Sequence, residues 1–250
     1  MPVLTVRVYQ ELNGFLHPRR RGGEFEIRLN GRPSVKDVVE SVGIPHTEVD
    51  VILINGESVG FERQVRDGDR LAVYPQFESL DISPIQRLRP APLRRPRFVL
   101  DGHLGRLAAY LRLFGFDCLY RQDWEDPALA AISAREARIL LTRDRGLLKR
   151  KEVTRGYCVH EDHPRRQLVE VLRRFDLLGA ARPLTRCMAC NGDVQPIPKA
   201  DVAARVPKDV AEGREWFTLC TSCRRVYWEG SHHARLIALI ETAAREASGN

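Results

Sequence analysis

Lysine is almost missing from this 250-residue chain, with five lysines against 35 arginines. Methionine occurs twice, and aromatic residues make up only 7%. No apolar run approaches the roughly 20 residues that a membrane-spanning helix needs, which argues against a membrane partner. The first residues, Met1-Pro-Val-Leu-Thr-Val-Arg, carry no basic-then-apolar leader and read at once as a strand. A cytoplasmic protein is therefore expected. Glycine and proline number 18 and 15, too few for a low-complexity chain. The 43% apolar content suits ordinary globular folding, and the length leaves room for two or three small domains.

What is present is positive charge of one chemical kind. The formal net charge is +7. Arginine offers a planar fork that grips phosphate and stacks on bases, so a nucleic-acid partner fits. Codon bias towards arginine is the competing explanation of the ratio. The charge is uneven, however. Residues 86–98 read Q-R-L-R-P-A-P-L-R-R-P-R-F, with five arginines and no acid. With Pro84, Pro90, Pro92 and Pro96, residues 81–97 read as an extended linker. It is either a basic arm on phosphate or a solvated connector.

Cysteine is used sparingly and in a pattern. Cys187, Cys190, Cys220 and Cys223 form two Cys-x-x-Cys pairs separated by 29 residues. One tight turn can present two thiolates to the same ion, and four thiolates complete a tetrahedral Zn²⁺ shell. Such a closed shell leaves no open position, so this metal is expected to hold structure and not to do chemistry. Two disulfides are the alternative, which a reducing compartment disfavours. Cys118 and Cys158 lie in apolar runs and read as buried strand thiols.

The organisation follows from periodicity. Residues 1–80 give two alternating strands, a helix capped by Ser34 and ended by Gly43, a strand over Val51-Ile-Leu-Ile with the turn Asn55-Gly56, and a last strand after Asp67-Gly68. The β-β-α-β-β order and its D-G-D-R-L-A-V-Y-P ending resemble the ubiquitin-like β-grasp of small sulfur carriers. Those carriers need a terminal Gly-Gly, whereas this chain runs on through Gln76. The resemblance therefore implies a docking module, with a protein partner, and not carrier chemistry. Residues 98–180 alternate strand with helix, the pattern of a parallel sheet covered by helices. The helix over residues 234–247 is amphipathic and is expected to pack on the body, with a partner helix as the alternative.

In such a sheet, sites form at the carboxyl ends of the strands. Two apolar strands run into aspartate, at Asp101 and at Asp144. Asp126, and also Asp123, follow the second strand. Carboxylates gathered at one mouth repel each other unless a cation intervenes, and hard oxygen donors suit Mg²⁺ or Mn²⁺. Such an ion assists phosphodiester hydrolysis, and Arg143 and Arg145 flank Asp144 ready for phosphate. Each carboxylate has a plainer reading. Asp126 and Asp144 sit where helix N-caps sit. His103 reads as a hydrogen-bonded neighbour of Asp101, Asp117 lies on the opposite edge, and Glu136 on a solvated face.

The runs D-G-H-L-G-R-L-A-A-Y-L-R-L-F-G-F-D (101–117), I-L-L-T-R-D-R-G-L-L (139–148), R-C-M-A-C-N (186–191) and C-T-S-C-R-R-V-Y-W-E-G-S-H (220–232) resemble the Mut-seven C-terminal RNase family. These are PIN-like nucleases joined to a zinc ribbon, and bacterial members often carry an N-terminal ubiquitin-like domain. The resemblance implies an α/β fold with a PIN-like parallel sheet flanked by helices, an N-terminal β-grasp domain and a C-terminal zinc ribbon with four cysteine ligands (183–250). It implies a metal-dependent RNase whose matching positions are Asp101 and Asp144, with Arg143 and Arg145 in the same motif. The family usually has an apolar residue where this chain has His103. Arg224, Arg225, Tyr227 and Trp228 follow the last cysteine pair, with His232 and His233 close behind. Arginine beside aromatics suits single-stranded RNA, whereas packing under the ribbon is the plainer role for Tyr227 and Trp228. The expectation is a ribonuclease acting on tRNA or other structured RNA. The alternative is an inert RNA- or ribosome-binding protein.

Overall fold

In V-L-T-V-R-V every second side chain points the same way, and Leu4, Val6 and Val8 are buried while Arg7 is exposed. This strand, β1 (Val3–Val8), pairs antiparallel with β2 (Glu24–Arg28) and parallel with β5 (Arg70–Pro75). Between them run α1 (Val35–Ser41), β3 (Val49–Ile54) and the two-residue β4 (Glu57–Ser58). The sheet order is β2-β1-β5-β3-β4. The computed structural model describes residues 3–75, 87–88 and 96–249, so most of the 81–97 linker lies outside the described residues. Ser34 caps α1, as the sequence led us to expect, and closes a capping box with Asp37. The β4 hairpin was not expected. Asn55 and Gly56 both adopt positive φ, which turns the chain back so that Leu53 faces Ser58. Residues 10–23 are also more ordered than a loop, with two 3-10 turns, the first of which buries Leu12 and Phe15.

The second sheet is all parallel, in the order β7-β6-β8-β9. It comprises β6 (Phe98–Leu100), β7 (Cys118–Tyr120), β8 (Ile139–Thr142) and β9 (Gly156–Cys158), linked through α2 (Gly105–Leu113), α3 (Asp126–Glu136) and α4 (Arg145–Leu148), and followed by α5 (Pro164–Arg174). Its strands are buried on both faces, hence the unbroken apolar runs. Phe98, Leu100, Ile139, Leu141 and Tyr157 belong to one core with α2 and α5. Val99, Leu140 and Cys158 belong to another, with α3 and α4. That second core is continuous with the interior of the N-terminal sheet, so the two sheets share one apolar cluster.

The C-terminal part holds a three-stranded antiparallel sheet, β10 (Val194–Ile197), β11 (Phe217–Cys220) and β12 (Val226–Trp228), with the short α6 (Lys208–Gly213) inserted. The last helix, α7 (Ser231–Ala247), buries Leu239 and Ala243 and packs on α5, where Arg173 donates to the Glu246 carbonyl. Among the described residues no helix is long and apolar enough to cross a membrane.

Candidate active site and metal centre

The chain leaves β6 for one side of the sheet and reaches β8 on the other, so the topological switch point lies between these two strands. Their carboxyl ends carry Asp101 and Asp144. One hydroxyl ties the two turns together. Thr142 Oγ1 donates to Asp101 Oδ2 at 2.7 Å and accepts from the Asp144 backbone N–H at 2.9 Å. Asp101 also caps the 3-10 turn that follows it, and Tyr120 Oη pins that turn from β7 by donating to the Gly102 carbonyl at 2.9 Å. Asp144 is the N-cap of α4, its Oδ1 accepting from Gly146 N–H at 2.6 Å. The capping role read from the sequence for Asp144 is thus real. It occupies one carboxylate oxygen and leaves Oδ2 without a hydrogen bond among the described residues.

Asp126 does not join this pair. Glu125 occupies the N-cap position of α3 without a side-chain capping bond, and Asp126 is the exposed first helical residue, one position later than expected. Two adjacent acids before Pro127 could each have capped, because proline is accepted in either of the first two helical positions. Among the described residues the only group of three or more His, Cys, Asp or Glu that could share an ion is the four cysteines. Three carboxylates around one ion are therefore not formed here. Asp123 is exposed and paired with Arg121. His103 is exposed, and only its backbone N–H reaches Asp101. Asp117 lies at the far edge of the sheet, as expected.

The two arginines beside Asp144 both have partners. Arg143 Nη2 donates to Asp162 Oδ1 at 2.5 Å. Arg145 lies 4.8 Å from the centre of the Phe15 ring, which belongs to the N-terminal domain. Asp162 was missed in the sequence. It follows the fourth parallel strand, so the rule that picked out Asp101 and Asp144 would have found it. Glu170 of α5 organises the same loop by accepting from Tyr157 Oη, His160 N–H and Glu161 N–H at 2.8–3.0 Å. Burial opposes its charge, but His160, the two backbone N–H groups and Tyr157 outweigh that and hold its carboxyl below the usual range.

The N-terminal domain braces this side of the sheet. Lys149 Nζ donates to the Glu40 carbonyl at 2.9 Å, and His46 Nε2 lies 2.7 Å from the Val153 carbonyl. Glu48 is 1% exposed, and its Oε1 accepts from Cys158 N–H at 2.5 Å. Its Oε2 stands 3.7 Å from Arg174.

At the opposite, amino-terminal edge sits the cysteine site. All six cysteines are free thiols, so the disulfide alternative does not hold. The Sγ atoms of Cys187, Cys190, Cys220 and Cys223 lie within 4.8 Å of one another, with Cys187 to Cys223 at 3.7 Å and Cys190 to Cys220 at 3.4 Å. A tetrahedron with metal–sulfur bonds of about 2.3 Å has edges of about 3.8 Å, so the cluster fits a metal ion. Tyr227 Oη lies 2.9 Å from Cys187 Sγ and donates to it in the thiolate form. Burial works against a Cys187 thiolate, but that hydroxyl and the Cys190 and Ala189 N–H groups bring its pKa down to about 6. Tyr227 is therefore half-buried and committed to the metal site, the plainer of its two expected roles.

A set of anchors fixes the first knuckle to the sheet. Arg112 of α2 donates to the carbonyls of Met188 and Ala189, both at 3.1 Å, and to Cys118 O. Asn191 bridges Asp117 Oδ1 (2.7 Å) and Cys118 N–H (2.9 Å), while Arg138 holds both oxygens of Asp117. Arg224 and Arg225 are exposed, and Trp228 is half-buried. These ribbon residues stand at the edge opposite Asp101 and Asp144, on a surface of their own.

The Mut7-C RNAse domain family matches residues 96–240, and the Mut7-C ubiquitin family matches residues 1–81. No curated protein matches the chain. Two crystal structures of small archaeal modifier protein 1 from Haloferax volcanii resemble it at 15% and 17% identity. They cover 31% of this chain and 100% and 98% of theirs, with TM-scores of 0.26 and 0.24.

Proposed function

The chain belongs to the Mut7-C RNAse domain family and carries its ubiquitin-like domain, and from that premise we propose that it is a metal-dependent ribonuclease that hydrolyses phosphodiester bonds in tRNA or another structured RNA. The observation that carries the reading is the Asp101–Thr142–Asp144 arrangement at the switch point of the parallel sheet. Two carboxylates suit a Mg²⁺- or Mn²⁺-sized ion, which commonly takes one or two protein carboxylates and completes its shell with water and substrate oxygens. Such an ion, when bound, would neutralise phosphate charge and activate water. Asp101 and Asp144 would hold it, Thr142 keeping their turns in register. Asp126, exposed at the start of α3, would act on the substrate and not as a third ligand of that ion. Arg143 would exchange Asp162 for a substrate phosphate, and Arg145 would add positive charge from its seat on Phe15.

The cysteine cluster is assigned to structural Zn²⁺, since four thiolates leave no open position. Any protein partner of the ubiquitin-like domain is left its outer part, including edge strand β2, because Phe15, His46 and Glu48 are engaged on the nuclease.

The competing reading is an inert RNA- or ribosome-binding protein. It is favoured by one observation, that no third acid shares an ion site with Asp101 and Asp144 among the described residues. The test is incubation of the full chain with labelled RNA and Mn²⁺ or Mg²⁺, with and without EDTA, beside Asp101→Asn and Asp144→Asn. Cutting that needs the ion and is lost in both variants supports the nuclease. RNA binding without cutting supports the inert reader.

A further inference from the structure

A cleft of about 540 Å³ opens between the ribbon sheet and the start of α7. Trp216, Tyr227 and Trp228 line it, with Arg225, His232 and His233 at its margin. Trp216 is 75% exposed, the only large apolar side chain so placed among the described residues. A tryptophan left in water at the lip of a concave site is the usual mark of a surface that binds something. Tyr227 is fixed by its hydroxyl on Cys187, and Met188 by the Arg112 clamp on its carbonyl, so part of the lining is held rigid.

Charge selects the kind of ligand. The only acid that lines the cleft is Glu229, against Arg186 and Arg225. Arg186 is held by Asp193 and the Asn191 carbonyl. The exposed Arg225 guanidinium makes no hydrogen bond or ion pair among the described residues. The first turn of α7 adds to this bias, having no acid and no side-chain cap. Flat aromatic walls beside unpaired arginine match a base and its phosphate. Bases inside a duplex are already stacked and cannot reach such walls, so the strand must be single.

We propose that this cleft is a second RNA site, separate from the mouth that carries Asp101 and Asp144, where unpaired bases of a single strand stack on Trp216 and Trp228 while Arg225 holds the adjoining phosphate. It rests on the reading that RNA is the ligand of this chain, but not on catalysis. The ribbon is tied to the amino-terminal edge of the sheet, and β8 alone separates the edges by about 13 Å at 3.3 Å per residue. One RNA strand serving both sites must therefore bridge at least that distance. The cleft would choose which RNA is presented, and the mouth where it is cut.

The experiment uses the full chain with Asp101→Asn and Asp144→Asn together, so that RNA is not consumed. Anisotropy of a labelled single-stranded oligoadenylate is titrated, with zinc content checked in every variant. Trp216→Ala should weaken binding about 5- to 150-fold, the range for loss of one base–aromatic stack, and Trp216→Phe should restore most of it. Arg225→Ala should lower the salt slope by about one. Unchanged affinity in Trp216→Ala and Arg225→Ala overturns the proposal, as does equal binding of duplex RNA. Quenching of tryptophan emission by a proline-rich peptide, with none by RNA, overturns it in favour of a protein ligand. Wild-type cutting combined with unchanged binding in Trp216→Ala sinks the cleft and leaves the nuclease. Trp216-dependent binding without wild-type cutting does the reverse.

Discussion

Replacing Glu48 with alanine should uncouple the ubiquitin-like domain from the nuclease. Glu48 is 1% exposed and answers two groups of the other domain, the Cys158 N–H at 2.5 Å and the Arg174 guanidinium at 3.7 Å. Arg174 is itself buried, and its next acid, Glu11, stands 3.6 Å away with a side chain 47% exposed. Alanine therefore leaves a buried cation with one half-solvated acid and the face of the Tyr157 ring, and a buried N–H without its glutamate acceptor. Breaking a buried pair costs about 3–5 kcal/mol. An orphaned N–H accounts for about 1–3 of that. In a chain of this length 1 kcal/mol moves the melting temperature by about 2–4 °C, so a fall of about 6–20 °C is expected. Calorimetry should also resolve the single transition into two, because the shared core loses its polar lock. Glu48→Met with Arg174→Met removes the stranded charge as well as the acid, and should regain all but the N–H share. A loss below about 1 kcal/mol in Glu48→Ala, or a double variant no better than the single one, would refute this account.

Other outcomes follow from single contacts. Glu170 has a folded pKa held below its ordinary 4.5 by His160, Glu161 N–H and Tyr157 against burial. Its contribution is complete above about pH 4.5 and is lost as pH falls through the lower folded value, so Glu170→Gln should flatten the acid limb of a stability–pH curve. Gly115→Ala should lower stability by more than the roughly 1–2 kcal/mol of a left-handed backbone, since φ is +89° and a Cβ would sit 2.1 Å from the Arg182 carbonyl oxygen. Denaturant titration reads that loss. With the cysteine cluster metal-loaded as proposed, a strong chelator should collapse the near-ultraviolet signal of Trp216 and Trp228 while the parallel sheet, which has its own core, keeps its far-ultraviolet signal. Loss of both signals together would refute that independence.

The parts of this molecule that could be read in the sequence are those set by short spacing. Alternation in V-L-T-V-R-V, the Ser34 cap and the two Cys-x-x-Cys pairs each act over a few residues, and all three took the expected form. Asp101 and Asp144 could be named as candidates because a strand running into an acid is also a local pattern. Boundaries slipped where two neighbours could take the same position, as Glu125 and Asp126 could before Pro127. What stayed hidden depends on distance along the chain. Glu48 and Cys158 are 110 residues apart, and His46 and Val153 are 107 apart. No pattern in a glutamate after a proline-histidine-threonine run announces a buried bond to the fourth strand of another sheet.

The same distinction governs where the candidate residues are delivered. The sequence sets Arg143 and Arg145 beside Asp144, and Arg224 and Arg225 after the last cysteine pair. The fold sends the first pair to the carboxyl edge of the parallel sheet and the second to a ribbon anchored at its amino edge. The residues responsible are not themselves functional in the sequence's terms. Arg112, Asp117, Arg138 and Asn191 look like ordinary polar residues, yet they join helix, two strands and knuckle in one network. A residue's chemistry can be read where it stands, but the edge to which it is delivered is decided by anchors that carry no chemistry of their own. Exchanging Asn191 for alanine should therefore loosen the ribbon, and with it any RNA held there, while leaving the Thr142 link between Asp101 and Asp144 intact.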